Sequence, residues 1–132
     1  MSVVPITKNN KNKINALILR QIGKVKYQDG YIYLDDKEAV LGYTILKQIN
    51  VNNVAIEWIY AKKGYGTSFM KKLEVILKES YNKILLHVSI DPTEKNETVI
   101  RRINFYIKNN FRVIDIKYRP KRGPLLTMMK VI

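Results

Sequence analysis

The stretch from Val54 to Ser68 restricts the fold of this chain more than any other. Val54–Ala61 is a nearly continuous apolar run, the pattern of a central strand buried on both faces of a sheet. It passes through Lys62-Lys63-Gly64-Tyr65-Gly66-Thr67 into an amphipathic helix, with Phe69, Met70, Leu73, Ile76, Leu77 and Tyr81 on one stripe. Lys71, Lys72, Glu74 and Lys78 fall outside that stripe. A helix N-terminus carries unpaired N–H groups and the positive end of the helix dipole, and so favours an anion. Glycines there let the backbone approach a ligand and adopt positive φ. Lys62 and Lys63 add charge, and Thr67 and Ser68 add hydroxyls. Together these residues read as a pyrophosphate cradle; the bland alternative is a tight strand-to-helix turn.

Two nucleotide motifs are excluded. A P-loop needs four residues between its glycines and a Lys-Ser/Thr after the second, and neither is present. A Rossmann fingerprint needs a third glycine where Phe69 stands.

The rest of the chain supplies the frame. Lys11 to Ile22 places Ile14, Leu17, Ile18, Gln21 and Ile22 at helical spacing, with Asn10 or Asn12 as cap and Gly23 as stop. Tyr31–Leu34 and Ala39–Gln48 read as two strands around an Asp35-Asp36-Lys37 turn. After the glycine loop and its helix come a strand over Ile84–Ile90 and a helix over Glu94–Asn109. That helix is expected to carry Val99, Ile100, Ile103, Tyr106 and Ile107 inward, with Asn110 in a left-handed terminal position. Asp91 is expected to cap it. Strands over Arg112–Tyr118 and Leu125–Val131 close the chain, and a short strand is available at Val3–Ile6. The order predicts an α/β fold with a mixed sheet, in one domain spanning residues 1–132.

The glycine turn resembles the coenzyme A loop of the GNAT acetyltransferases, which follows Arg/Gln-x-x-Gly-x-Gly/Ala between a central strand and a helix. Lys63-Gly64-Tyr65-Gly66-Thr67 matches the second half of that pattern. Ala55-Ile56-Glu57-Trp58-Ile59-Tyr60 matches the family's acidic residue and strand before the loop. Asn104-Phe105-Tyr106-Ile107-Lys108-Asn109-Asn110-Phe111 resembles its FYxKxGF helix ending, with Asn110 in place of glycine. The likeness covers roughly Val54 to Ile132. Ala61 stands where the first Arg or Gln would fall, which points to a shortened loop with Lys62 and Lys63 taking the electrostatic role. Val99 replaces an asparagine common in the family.

The resemblance implies the GNAT N-acyltransferase fold, with helices flanking a mixed central sheet and the region of the first and second helices shortened. It implies acetyl-CoA as co-substrate and an amine acceptor attacked directly, without a metal. Backbone of Trp58, Ile59, Tyr60 and Ala61 would hold the pantetheine arm, and Lys62, Lys63, Gly64, Tyr65, Gly66, Thr67 and Ser68 the pyrophosphate. Tyr106 takes the place of the thiolate-protonating tyrosine. Glu57, a carboxylate in an apolar strand, is the base candidate if buried, since desolvation raises a carboxyl pKa; equally, it is a strand residue facing solvent. His87 reads as structural sooner than catalytic. A second helix that is short or missing suggests an open acceptor groove suited to a peptide or protein amine.

The net charge of +13, from 24 Lys and Arg against 11 acids, keeps nucleic acid open as a partner. A codon bias toward Lys, Asn and Ile explains scattered lysines as well. Arg119-Pro120-Lys121-Arg122 reads as a solvated basic loop or a grip for an anion. A second function is therefore a GNAT-like basic domain without catalysis, acting in nucleic-acid binding or interaction. No apolar run reaches the roughly 20 residues that span a bilayer, so no membrane role is expected. With no cysteine, a reducing, cytoplasmic setting is the expectation. The apolar terminal strand is open either to the sheet interior or to a homodimer partner.

Overall fold

The computed structural model describes residues 1–21 and 29–132, with the backbone alone for residues 19–21. Ile22 and Gly23, read as the end and stop of the first helix, lie outside the described residues. So does the segment on which the expected shortening of the second helix rests.

The elements run β1 (Ser2–Pro5), α1 (Asn12–Gln21), β2 (Asp29–Leu34), β3 (Val40–Gln48), β4 (Asn53–Ala61), α2 (Gly66–Leu77), β5 (Lys83–Ser89), α3 (Asn96–Lys108), β6 (Arg112–Lys117) and β7 (Leu125–Val131). The strands form one seven-stranded sheet in the order β1-β2-β3-β4-β5-β7-β6. Only β4 and β5 pair in parallel among the registers described; β1–β2, β2–β3, β5–β7 and β6–β7 are antiparallel. The mixed α/β sheet and the element order agree with the sequence. The chain forms two compact units, Met1–Lys47 with Glu57–Leu77, and Gln48–Ile56 with Lys78–Ile132, so β4 contributes to both.

In the first unit, Ile14 and Ile18 of α1 pack on Ile32, Leu34, Tyr43 and Ile45, with Trp58 and Tyr60 partly buried against them. Side chains alternate along a strand, so Tyr33, between Ile32 and Leu34, points to the other face. There it stacks on Phe69 of α2, with ring centroids 5.3 Å apart. The spacing of buried residues thus places α1 and α2 on opposite faces. Gly42 of β3 allows the close approach of β4: a Cβ there would lie 2.5 Å from the Tyr60 carbonyl oxygen and 3.2 Å from the Ala61 Cα. Both neighbours are backbone and cannot turn aside. Gly42→Ala is expected to cost about 1–3 kcal/mol, read as a lower midpoint in urea; unchanged stability would contradict this packing.

In the second unit, Ile84, Leu86 and Val88 of β5 and Leu126 and Met128 of β7 alternate into the interior. Strand β7 pairs with β5 on one side and β6 on the other. It is therefore not free for a partner chain, and the edges of the sheet are β1 and β6. Helix α3 buries Val99 and Tyr106 with Ile103 between them, but Ile100 and Ile107 are 57% and 52% exposed. The expected stripe was too wide: each of those residues stands about 100° around the helix from a buried one. Asn110 has φ 69°, as expected. The Phe111 amide bonds the Tyr106 carbonyl and the Asn110 amide bonds that of Ile107, both at 3.0 Å, which is the Schellman closure.

Candidate functional site

The register of β4 with β5 runs from Asn53↔Lys83 to Ile56↔Leu86, whereas β4 continues to Ala61. Five residues of strand thus lie beyond that ladder. Their directions follow from the contacts with β3. The Lys62 amide donates to the Leu41 carbonyl at 2.8 Å, and the buried Thr44 hydroxyl donates to the Trp58 carbonyl at 2.8 Å. Residues 58, 60 and 62 therefore turn their backbone polar groups toward β3. By the alternation of an antiparallel pair, Glu57, Ile59 and Ala61 turn theirs to the opposite edge. This corrects the expectation that the whole span Trp58–Ala61 offers its backbone, since Trp58 and Tyr60 are committed to β3. The Trp58 and Tyr60 side chains lie in the core under α1, and Trp58 Nε1 is buried with no hydrogen-bond partner among the described residues.

Glu57 is exposed. Of the two readings open for this residue, the strand carboxylate facing solvent is the one found and the desolvated base is not, although its neighbours Ala55 and Ile56 are buried.

Beyond Ala61 the chain makes a tight reversal. The Tyr65 amide donates to the Lys62 carbonyl at 3.0 Å, and Gly64, the third residue of that turn, has φ 92°. This is the type II pattern, which demands glycine or asparagine at that place. A Cβ on Gly64 would meet nothing within 4 Å, so open space lies in front of it. Lys62 and Lys63 are both exposed. The Phe69 amide makes the first helical bond, 3.0 Å to the Tyr65 carbonyl. The amides of Gly66, Thr67 and Ser68 precede it, and the helix supplies them no acceptor. The Ser68 hydroxyl, by contrast, is engaged with Tyr33 Oη at 2.9 Å and the Tyr65 carbonyl at 3.2 Å. Sequence reasoning missed Tyr33 and Thr44 because each acts across strands, with no local signal.

Tyr106 belongs to the second unit. Its ring sits edge-on to Phe111, with centroids 5.8 Å apart, and burial pushes its pKa up, against a smaller lowering by Arg102. It is therefore a protonated phenol at neutral pH. His87 is exposed, with Nδ1 3.1 Å from the Thr127 hydroxyl, a cross-strand neighbour. Asp91 does not cap α3. Its carboxylate accepts from the Thr93 amide and hydroxyl, each at 2.8 Å, and these bonds hold its pKa low; Lys95 occupies the cap position. In the basic loop, Arg119 is tied inward to Ser89 Oγ at 2.5 Å and the Gly123 carbonyl at 3.1 Å, while Lys121 and Arg122 are exposed.

The first unit thus brings together the backbone groups of β4 that turn away from β3, a left-handed glycine, two exposed lysines and the start of α2. Among the described residues, no three His, Cys, Asp or Glu side chains are grouped to hold a metal, and no helix is long and apolar enough to cross a membrane.

No family model matches the chain. It is 33% identical over 90 residues, 67% of its length, to an uncharacterised N-acetyltransferase of Acanthamoeba polyphaga mimivirus, and it spans 21% of that relative. Among solved structures it resembles a spermidine N-acetyltransferase chimera of Vibrio cholerae SpeG and hSSAT, with TM-score 0.73 and 13% identity over 99% of this chain and 96% of the other. It also resembles Ard1 from Thermoplasma volcanium, with TM-score 0.69 and 12% identity over 99% and 97% of the two chains. A GNAT acetyltransferase from Elizabethkingia anophelis with acetyl-CoA bound matches at TM-score 0.69 and 14% identity over 99% and 97%. These likenesses show that the chain has the GNAT acetyltransferase fold.

Proposed function

We propose that this chain, built on the GNAT acetyltransferase fold, moves an acetyl group from acetyl-CoA to a primary amine. The observation that carries the reading is the type II turn, with Gly64 at φ 92° facing open space directly before the first amides of α2. A pyrophosphate there would accept from the amides of Gly66, Thr67 and Ser68, with Lys62 and Lys63 supplying charge. The pantetheine arm would pair with the free edge of β4 through Ile59 and Ala61, in the manner of an added strand.

The reaction asks for an uncharged amine, a polarised thioester carbonyl and a protonated leaving sulfur. An outward amide on the β4 edge can donate to the carbonyl as the nitrogen–carbon bond forms and the carbon–sulfur bond breaks. Tyr106, protonated and buried, gives its phenolic proton to the departing thiolate. Glu57 passes the amine proton to solvent, and its exposure suits that relay better than trapping a charge in the core.

Lys62→Ala with Lys63→Ala is expected to weaken coenzyme A binding about tenfold at low salt, with the difference shrinking at high salt as screening removes the same attraction. Calorimetry at two ionic strengths reads both. A loss unaffected by salt would contradict the electrostatic role.

The fold neighbours named for an acceptor include enzymes of spermidine and of phosphinothricin. These amines share little beyond the nitrogen, so the reading assigned here is a primary amine as a class. Thiol release from acetyl-CoA should depend on an added amine across a panel of polyamines, small amines and peptide N-termini. Amine-independent release alone would overturn the transfer reading.

A further inference from the structure

Reading the Lys62–Ser68 turn as a pyrophosphate seat leaves the Ser68 hydroxyl and the buried Tyr33 without a role. We infer that Tyr33 and Ser68 form a positioning relay that aims the Gly66 amide at the bound diphosphate; the inference rests on the proposed coenzyme A site. Tyr33 is fully buried on β2, and its hydroxyl lies 2.9 Å from Ser68 Oγ. Ser68 Oγ is in turn 3.2 Å from the Tyr65 carbonyl.

The single hydroxyl hydrogen of Ser68 can serve that carbonyl, which cannot donate. Tyr33 Oη also lies 3.6 Å from Met1 Sδ, but a thioether sulfur is a weak acceptor. With Ser68 donating to the carbonyl, the Tyr33 proton is therefore assigned to Ser68 Oγ, giving the chain Tyr33 O–H to Ser68 O–H to Tyr65 C=O. Hydrogen bonds in such a chain polarise one another. Tyr65 Oη is not involved; its ring packs edge-on to Tyr33 at 6.5 Å, and Phe69 stacks on the other ring contact at 5.3 Å.

The effect passes to the ligand through one peptide plane. The Tyr65 carbonyl also accepts from the Phe69 amide at 3.0 Å, so two donors fix its direction. In a trans peptide the C=O of Tyr65 and the N–H of Gly66 are rigidly opposed. With the carbonyl pinned toward the helix, the Gly66 N–H is pinned away from it, into the turn that Gly64 leaves open. Ser68 thus acts from inside, through its hydroxyl, and is not an oxygen ligand of the phosphate; only its amide is available for that. Sequence alone assigned the whole residue to the ligand.

The test uses the full chain with Tyr33→Phe, which keeps both ring contacts, Ser68→Ala, and the double variant. Each single variant should raise the Kd for coenzyme A and the KM for acetyl-CoA about fivefold, the size of one hydrogen bond's net contribution. The double variant should lose no more than either single one, and kcat should be unchanged. The KM for acetyl-pantetheine, which has no diphosphate, should not move. In the free protein, hydrogen exchange at the Phe69 amide should quicken in both single variants. Wild-type affinity in the variants, additive losses in the double variant, or an equal loss with acetyl-pantetheine would each overturn the relay. Failure of the unaltered protein to bind coenzyme A would instead overturn the site reading beneath it. If Tyr33→Phe unfolds, Ser68→Ala still carries the comparison.

Discussion

Tyr106→Phe is expected to lower kcat by about 10²–10⁴-fold, the usual worth of a positioned acid, with coenzyme A affinity unchanged. The substitution keeps the ring and its edge-on contact with Phe111 and removes only the hydroxyl. Burial raises the phenol's pKa above its ordinary 10.0, so the proton is in place throughout the neutral range. Two pH effects follow. Activity carried by this acid should persist to alkaline pH, since its loss requires ionisation above 10.0. Stability should fall as pH rises from 10.0 toward the raised value, because there the unfolded chain ionises the phenol and the folded chain resists it. The Phe variant should lack that alkaline loss. A kcat unaffected by Tyr106→Phe would remove the acid role and leave a core tyrosine.

Gly64 carries the second large effect. Among the described residues no neighbour lies within 4 Å of its missing Cβ, so a substituent is opposed by conformation, at φ 92°. Holding a non-glycine residue in such a region costs about 1–3 kcal/mol. The turn is short and exposed, and it can relax by flipping the Lys63–Gly64 peptide, which would move the lysines and the start of α2 away from their seat. Coenzyme A affinity should therefore fall at least about tenfold for Gly64→Val, less for Gly64→Ala, and least for Gly64→Asn, since Asn tolerates the left-handed region. Calorimetry gives the order, and denaturation shows how much of the loss is global. Equal affinity for Gly64 and Val would show that the turn does not shape the site.

The features legible in the sequence were those whose cause is local. Gly64 announces a left-handed turn because few residues accept that φ. Asn110 does the same at the end of α3, and the Val99–Tyr106 repeat marks a buried line on that helix. What could not be read depends on residues far apart in the chain. The position of β7 between β5 and β6, and so the loss of its partner-facing edge, follows from pairing across the sheet. Glu57 stayed open between a buried base and a solvent-facing carboxylate, because apolar strand neighbours do not fix what covers a residue's face. Ser68 looked like a ligand because hydroxyls at helix starts often are; its partner Tyr33 is 35 residues earlier. Ile100 and Ile107 show the limit of periodicity, which gives a stripe but not its width.

On the proposed reading, the Lys62–Ser68 turn seats the diphosphate of coenzyme A. Calorimetric titration of the full chain with coenzyme A tests it most directly. Saturable binding is expected, with a Kd between about 1 μM and 1 mM, the range of common substrate affinities, weakened by Gly64→Val. No binding at millimolar coenzyme A, alongside salt-sensitive binding of nucleic acid, would contradict it and favour a basic binding module built on the same fold.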